Sequence, residues 1–252
     1  MKLSVIIITL NEEENLQRCL ESVKRIADEI VVVDSGSTDM TLEIAKKYKA
    51  RIYSRKFDNY SNQKNYAVEK ATGDWIFSLD ADEEITPELG SEIQVALRQK
   101  DINGYFIPRK NIIFGQEIKH TRWSPDAHIW LWRKGKGSWK GEVHEEVDVK
   151  GWVANLKNAK IHFSYARVSD FWKMMNNYTE RMAEDLLKKG NKFSLLLLFF
   201  SPALSFFRRF FYKKGFLDGW RGFILSYLMA IYRMTTWIKI WEKVNLVVRK
   251  EI

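Results

Sequence analysis

The stretch Gly73-Asp74-Trp75-Ile76-Phe77-Ser78-Leu79-Asp80-Ala81-Asp82-Glu83 decides how this 252-residue chain is read. Residues 75–79 form a short apolar run bounded by polar residues, the pattern of a strand buried on both faces. The run stops at Asp80, and a second carboxylate follows one residue later at Asp82. Two similar runs stand upstream, residues 3–9 (LSVIIIT) and 29–33 (EIVVV), followed by Asn11-Glu12 and by Asp34. Residues 51–54 read as a further short strand. Helical patterns fall between the strands, over about 12–25, 40–49 and 62–71. The first places Leu16, Leu20 and Val23 on one face, with Asn11 as its expected cap. This alternation predicts an α/β fold with an open, mostly parallel sheet flanked by helices. Ligands of such sheets sit at the carboxyl ends of the strands. Asn11-Glu12, Asp34 and Asp80 all fall there; one such residue is usually a cap, but three beside an acidic cluster suggest a site.

The pattern then changes. Short Trp-rich β-like runs occupy 105–109, 129–133, 152–154 and 161–165, and from about 168 the chain reads as helical. Charge changes with it. Residues 1–166 hold 25 Lys+Arg against 25 Asp+Glu, whereas residues 167–252 hold 16 against 7 and carry the whole net +9. Two domains are expected, 1–166 and a basic, aromatic helical tail, 167–252. Residues 193–207 are uncharged and contain Pro202, and 222–232 form a second uncharged run. Both are shorter than the roughly 20 apolar residues of a spanning helix. They fit either a pair of core helices or segments lying in a membrane interface; the coincidence of apolar side chains with positive charge favours the interface. The single cysteine, Cys19, excludes an internal disulfide framework and a Cys-based zinc site, and suits a reducing compartment. The N-terminal apolar run is too short for an export signal, so a cytoplasmic location is expected. No Gly-x-Gly-x-x-Gly follows the first strand, which argues against a dinucleotide cofactor.

Two carboxylates at a strand end, one residue apart, can both reach one hard cation. Such a cation keeps positions open for phosphate oxygens and can neutralise a diphosphate leaving group. Four ordered blocks carry a resemblance: residues 4–12 (SVIIITLNE), 31–39 (VVVDSGSTD), 61–67 (SNQKNYA) and 73–83 (GDWIFSLDADE). Together they resemble the family-2 inverting glycosyltransferases of the GT-A fold. Residues 139–145 (WKGEVHE) and Gly215-Phe216-Leu217-Asp218-Gly219 resemble a subgroup that glucosylates the inner core of bacterial lipopolysaccharide.

The resemblance implies roles. Thr9, Asn11, Glu12 and Asp34 would hold the base and ribose of a nucleotide donor. Lys64 lies in the block that faces the donor, where a fixed positive charge would help the phosphates; its alternative is a solvated helix lysine. Asp80 would face the ribose or the metal, and Asp82 would bind the metal (Mn²⁺ or Mg²⁺) and the diphosphate. Displacement with inversion needs a base on the acceptor hydroxyl. Glu145 is the first choice, since the family block centres on His144-Glu145, with Glu142 in reserve. His144 is read either as a third metal ligand or diphosphate contact, or as a structural residue. His162 is expected to pack on a strand, and His120 and His128 to flank an acceptor-side loop around Trp123. Trp123, Trp130, Trp132, Trp139 and Trp152 could stack on sugars or fill the core. Related sequences often carry an arginine soon after the Pro125-Asp126 pair; here Ile-Trp-Leu-Trp intervenes before Arg133.

The expected activity is metal-dependent transfer of a hexose, from UDP-glucose first, to a lipid-linked or lipopolysaccharide-core acceptor. The enzyme would work peripherally at the cytoplasmic membrane face, with residues 190–252 on anionic lipid. Transfer to a polyprenyl phosphate is the alternative acceptor. Nucleic-acid binding by the basic tail is the alternative class, and its long uncharged runs argue against it.

Overall fold

A computed structural model of the chain describes residues 1–141 and 145–247. It opens with β1 (Leu3–Thr9), α1 (Leu16–Val23), β2 (Glu29–Asp34), α2 (Thr41–Lys47), β3 (Arg51–Ser54), α3 (Tyr60–Lys70) and β4 (Trp75–Ser78). Next come β5 (Glu83–Ile85), α4 (Pro87–Ala96), β6 (Gly104–Ile113), β7 (Gln116–Ile118), β8 (Ala127–Arg133), β9 (Gly137–Lys140) and β10 (Glu146–Val149). β11 (Val153–Asn155), β12 (Lys160–Tyr165), α5 (Val168–Lys188), α6 (Leu195–Phe207) and α7 (Gly219–Val247) complete it.

The main sheet runs β3-β2-β1-β4-β8-β6-β12-β5, with β7 and β11 on β6. β1 pairs in parallel with β2 and β4, and β2 with β3, so the expected α/β architecture is present, with its parallel pairing concentrated in the β3-β2-β1-β4 half rather than running through most of the sheet. β8 joins β4 antiparallel and β6 joins β8 antiparallel. The β-branched residues of β1 and β2 fill the space between sheet and helices: Val5, Val31, Val32 and Val33 are fully buried. Leu16, Cys19, Leu20 and Val23 of α1 close over them at helical spacing.

One local expectation is corrected. α1 starts at Leu16 with Asn15 at its N-cap, not Asn11. Asn11 instead adopts φ +56° in the turn leaving β1, and its side-chain oxygen accepts the Thr38 N–H at 2.9 Å. Asn tolerates the left-handed conformation because its short polar side chain can bond locally.

Two compact units emerge: Met1–Lys110 with Asp126–Phe163, and Asn111–Pro125 with the chain from Ser164 on. In the second, Phe171 and Met175 of α5 pack on Leu228 of α7, and Ala183 packs with Trp237 and Ile240. Lys239 and Lys243 pair with Glu180 at 3.0 and 2.5 Å. Asp218 accepts the backbone N–H groups of Lys119 and His120 at 3.1 and 2.9 Å and faces His120 Nδ1 at 3.0 Å. His120 is therefore held by Asp218 within this unit. α6 buries no residue fully. Leu195–Tyr212, 18 residues of mean hydropathy 1.3, has none of its length buried and is long and apolar enough to cross a membrane by length and composition alone.

Candidate active site

The carboxyl ends of β1, β2 and β4 converge in the first unit. Thr9 pairs with Asp34 in the sheet register, and Thr9 Oγ1 donates to Asp34 Oδ1 at 3.1 Å. Asp34 also accepts the N–H groups of Gly36 and Ser37 at 2.8 and 2.9 Å and the Ser37 hydroxyl at 2.5 Å. At 2% exposure it organises the loop that follows β2. Asn11 N–H donates to Ser37 Oγ at 2.9 Å, so the loops after β1 and β2 are laced together.

Glu12 donates its N–H to Thr41 Oγ1 at 2.8 Å, and its carboxylate accepts from Asn15 Nδ2 at 3.0 Å. Its pKa rises from the ordinary 4.5 to about 7. Burial is the main cause; the Asn15 bond opposes it, and the nearby Asp82, Asp80 and Asp39 reinforce it.

Beside β4 the acidic run is matched by cations. Lys64 of α3 is 5% exposed, so the solvated-lysine alternative is excluded. Its Nζ lies 3.1 Å from Asp80 Oδ1, 3.3 Å from Glu145 Oε1 and 4.4 Å from the centre of the Trp139 ring. Burial works against the Lys64 charge, but the two carboxylates more than offset it and its pKa is raised. Burial likewise opposes the charge of Asp80, yet Lys64, Lys160 and Arg109 hold its carboxyl well below the usual range. Glu83 is fully buried and accepts from the Asp80 N–H at 2.9 Å and from Lys160 Nζ at 2.5 Å, with Arg109 at 3.4 Å. Lys160 sits 3.4 Å from the centre of the Trp130 ring, and burial lowers its pKa. Arg109 Nε binds Asp126 at 2.7 Å, and Asp126 meets His128 at 3.1 Å.

His162 does more than pack on its strand: its Nε2 is 3.1 Å from Asp82 Oδ2. Burial disfavours its charge, but the Asp82 contact prevails and its pKa is raised. Sequence reasoning missed His162, Lys160 and Arg109 as site neighbours. Each lies on a strand far along the chain, and the apolar–polar alternation of β12 was the only available hint. Glu142 and His144 fall outside the described residues. Trp130, Trp132 and Trp139 are core, whereas Trp152 is exposed.

The side chains of Asp80 and Asp82 are 32% and 29% exposed, so both remain open at the strand end. Among the described residues no three His, Cys, Asp or Glu converge into a ready-made metal cage. This oxygen donor set fits a hard ion held by one or two carboxylates, with phosphate oxygens and water completing its shell. Chemically, the arrangement offers a negative strand end for such an ion and a lysine-held carboxylate, Glu145, beside it.

The family model for glycosyl transferase family 2 matches residues 4–153. A glycosyltransferase of Rickettsia typhi is 31% identical over 254 residues, covering 96% of this chain and 87% of its own length. The lipopolysaccharide core biosynthesis glycosyltransferase LpsC of Rhizobium meliloti is 30% identical over 261 residues, covering 100% and 96%. Among solved structures, S. aureus TarS 1–349 is 17% identical with a TM-score of 0.48, covering 100% of this chain and 92% of that one. By the family match and by these full-length relatives, the chain is a glycosyltransferase and belongs to glycosyl transferase family 2.

Proposed function

We propose that the protein transfers a hexose, with inversion, from a nucleotide diphosphate sugar to a lipid-linked lipopolysaccharide-core acceptor. UDP-glucose is the first donor to test. The observation that carries the chemistry is the Lys64 ammonium shared by Asp80 and Glu145 next to Asp82. The acceptor class draws support from the similarity to LpsC.

Asp82 and Asp80 would hold a divalent ion, which when bound offsets charge on the departing diphosphate. Thr9, Asn11, Glu12 and Asp34 frame the base and ribose end, Asp34 by fixing the loop rather than by offering a free carboxylate. Glu145 takes the acceptor hydroxyl proton as the new bond forms at the anomeric carbon and the bond to the diphosphate breaks. Lys64 keeps that carboxylate in position and adds positive charge near the phosphates. The unburied apolar helix α6 and the basic tail support work on the cytoplasmic face of a membrane, peripherally.

Transfer of labelled hexose from UDP-glucose to a glycolipid with Mn²⁺ tests the reading. Glu145→Gln is expected to lower kcat by about 10²–10⁴-fold with donor affinity retained. Asp82→Ala is expected to abolish both turnover and metal-dependent donor binding. Full activity of either variant removes the role given to that residue.

A further inference from the structure

Five cations of the second unit line one cavity of about 230 Å³: Arg122, Arg208, Arg209, Lys213 and Arg233. No acidic residue shares its wall. Glu180 and Glu184 of α5 pair with Lys239 and Lys243 instead, and Asp218 of the turn before α7 faces His120. Among the described residues none of the five cavity cations has a carboxylate partner. Gathering like charges costs free energy unless an anion offsets them. Burial and the neighbouring Arg122, Arg233 and Arg208 push Arg209 below the usual arginine range, to about 10.

The cavity is built rather than incidental. Thr121 and Arg122 both stand at positive φ, +57° and +74°, uncommon for a β-branched and a bulky residue. They are held there: the Thr121 N–H donates to the Lys213 carbonyl at 3.2 Å, and its carbonyl accepts from Arg209 at 2.7 Å. Backbone held in a sparsely populated region often marks a binding site. A π-helical turn, Arg208–Tyr212, follows α6 and lets the consecutive Arg208 and Arg209 line the same cavity.

The remaining wall is helical. Ser201, Leu204 and Ser205 of α6 face the cavity at the spacing that brings Arg208 to the same side. Leu204 is also 69% exposed, so the cationic wall runs straight into the apolar surface of α6. An occupant must therefore carry concentrated negative charge at one end and hydrocarbon at the other. Guanidinium forks match phosphate oxygens in pairs, and four of the five cations are arginines.

We propose that this cavity binds the phosphomonoester head group of a membrane lipid, with the acyl chains along α6. The inference rests on the peripheral membrane reading above and adds a specific site and lipid chemistry to it.

Flotation of the full-length protein tests it. One set of phosphatidylcholine vesicles carries phosphatidic acid, the other phosphatidylglycerol, matched for surface potential. Wild type is expected to bind the phosphomonoester vesicles about tenfold more tightly, and Arg208→Gln/Arg233→Gln to lose that preference. Lys173→Gln/Lys189→Gln, which removes the same charge from the same unit, should keep it. Equal binding to both lipids, or equal loss in both double variants, overturns the site and leaves the membrane reading standing. No flotation of wild type on either vesicle overturns the membrane reading itself. Stabilisation of wild type but not of the arginine variant by dissolved pyrophosphate, without lipid preference, would assign the cavity to a soluble anion and overturn the lipid.

Discussion

Glu12 shows at the scale of one side chain how a charged site is balanced against stability. Its folded pKa of about 7 lies above the ordinary 4.5, so folding favours the protonated form. The stability tied to that raised value is fully present below pH 4.5 and is lost as pH climbs through 7. Glu12→Gln cannot ionise. It should match wild type in urea melts near pH 4.5 and exceed it at pH 8 by about 1–2 kcal/mol, a figure discounted for partial exposure. A difference that does not change with pH would contradict this. Lys64 is the opposite case: a buried cation kept charged by Asp80 and Glu145. Such pairs add little net stability, but removing one member leaves the other uncompensated, so their geometry is strongly enforced.

At the scale of elements, the turn Gly215–Asp218 and the start of α7 depend on close approach. A Cβ on Gly222 would stand 1.9 Å from the Gly215 carbonyl oxygen. A Cβ on Gly215 would meet Thr121 Cγ2 at 2.6 Å and the Arg209 carbonyl oxygen at 2.8 Å. These contacts press the 119–122 loop against the second unit's helices while Asp218 caps the loop's N–H groups. Gly222→Ala should cost about 2–3 kcal/mol, or roughly 5–10 °C in Tm by calorimetry. An unchanged Tm would mean that the turn has room to shift. In the sequence Gly215 reads only as part of a resemblance to a family tail; its steric purpose emerges from Thr121, in a loop some ninety residues earlier in the chain.

At the scale of the molecule, charge and apolar surface coincide. The excess positive charge lies beyond residue 166, and α6 in the same stretch exposes Leu196 at 70% and Phe200 at 68%. Apolar side chains in water are normal singly, but a contiguous helical face of them marks an interaction surface. Leu196→Asp/Phe200→Asp should reduce sedimentation with anionic vesicles by at least about tenfold, because two apolar contacts are exchanged for two repelled charges. Tm should stay within about a degree, since neither side chain is buried. Undiminished sedimentation would exclude α6 as a surface that meets the vesicles.

The sequence by itself determined the strand–helix order from β1 to β4, the α/β class and the strand ends where Thr9, Asp34 and Asp80 stand, but not β5, α4 or the short strands β7, β9 and β10. What it determined follows from periodicity and from turn residues, which are local. It misplaced the cap of α1, because the choice between Asn11 and Asn15 depends on how the chain turns off β1 to meet the loop after β2. Only the tertiary structure decided that Lys64 is buried between two carboxylates, that His162 meets Asp82, and that Arg122 joins Arg208, Arg209 and Arg233 around one cavity. Those contacts join residues tens of positions apart, and which charges share a low-dielectric space is fixed by packing, which no local pattern encodes.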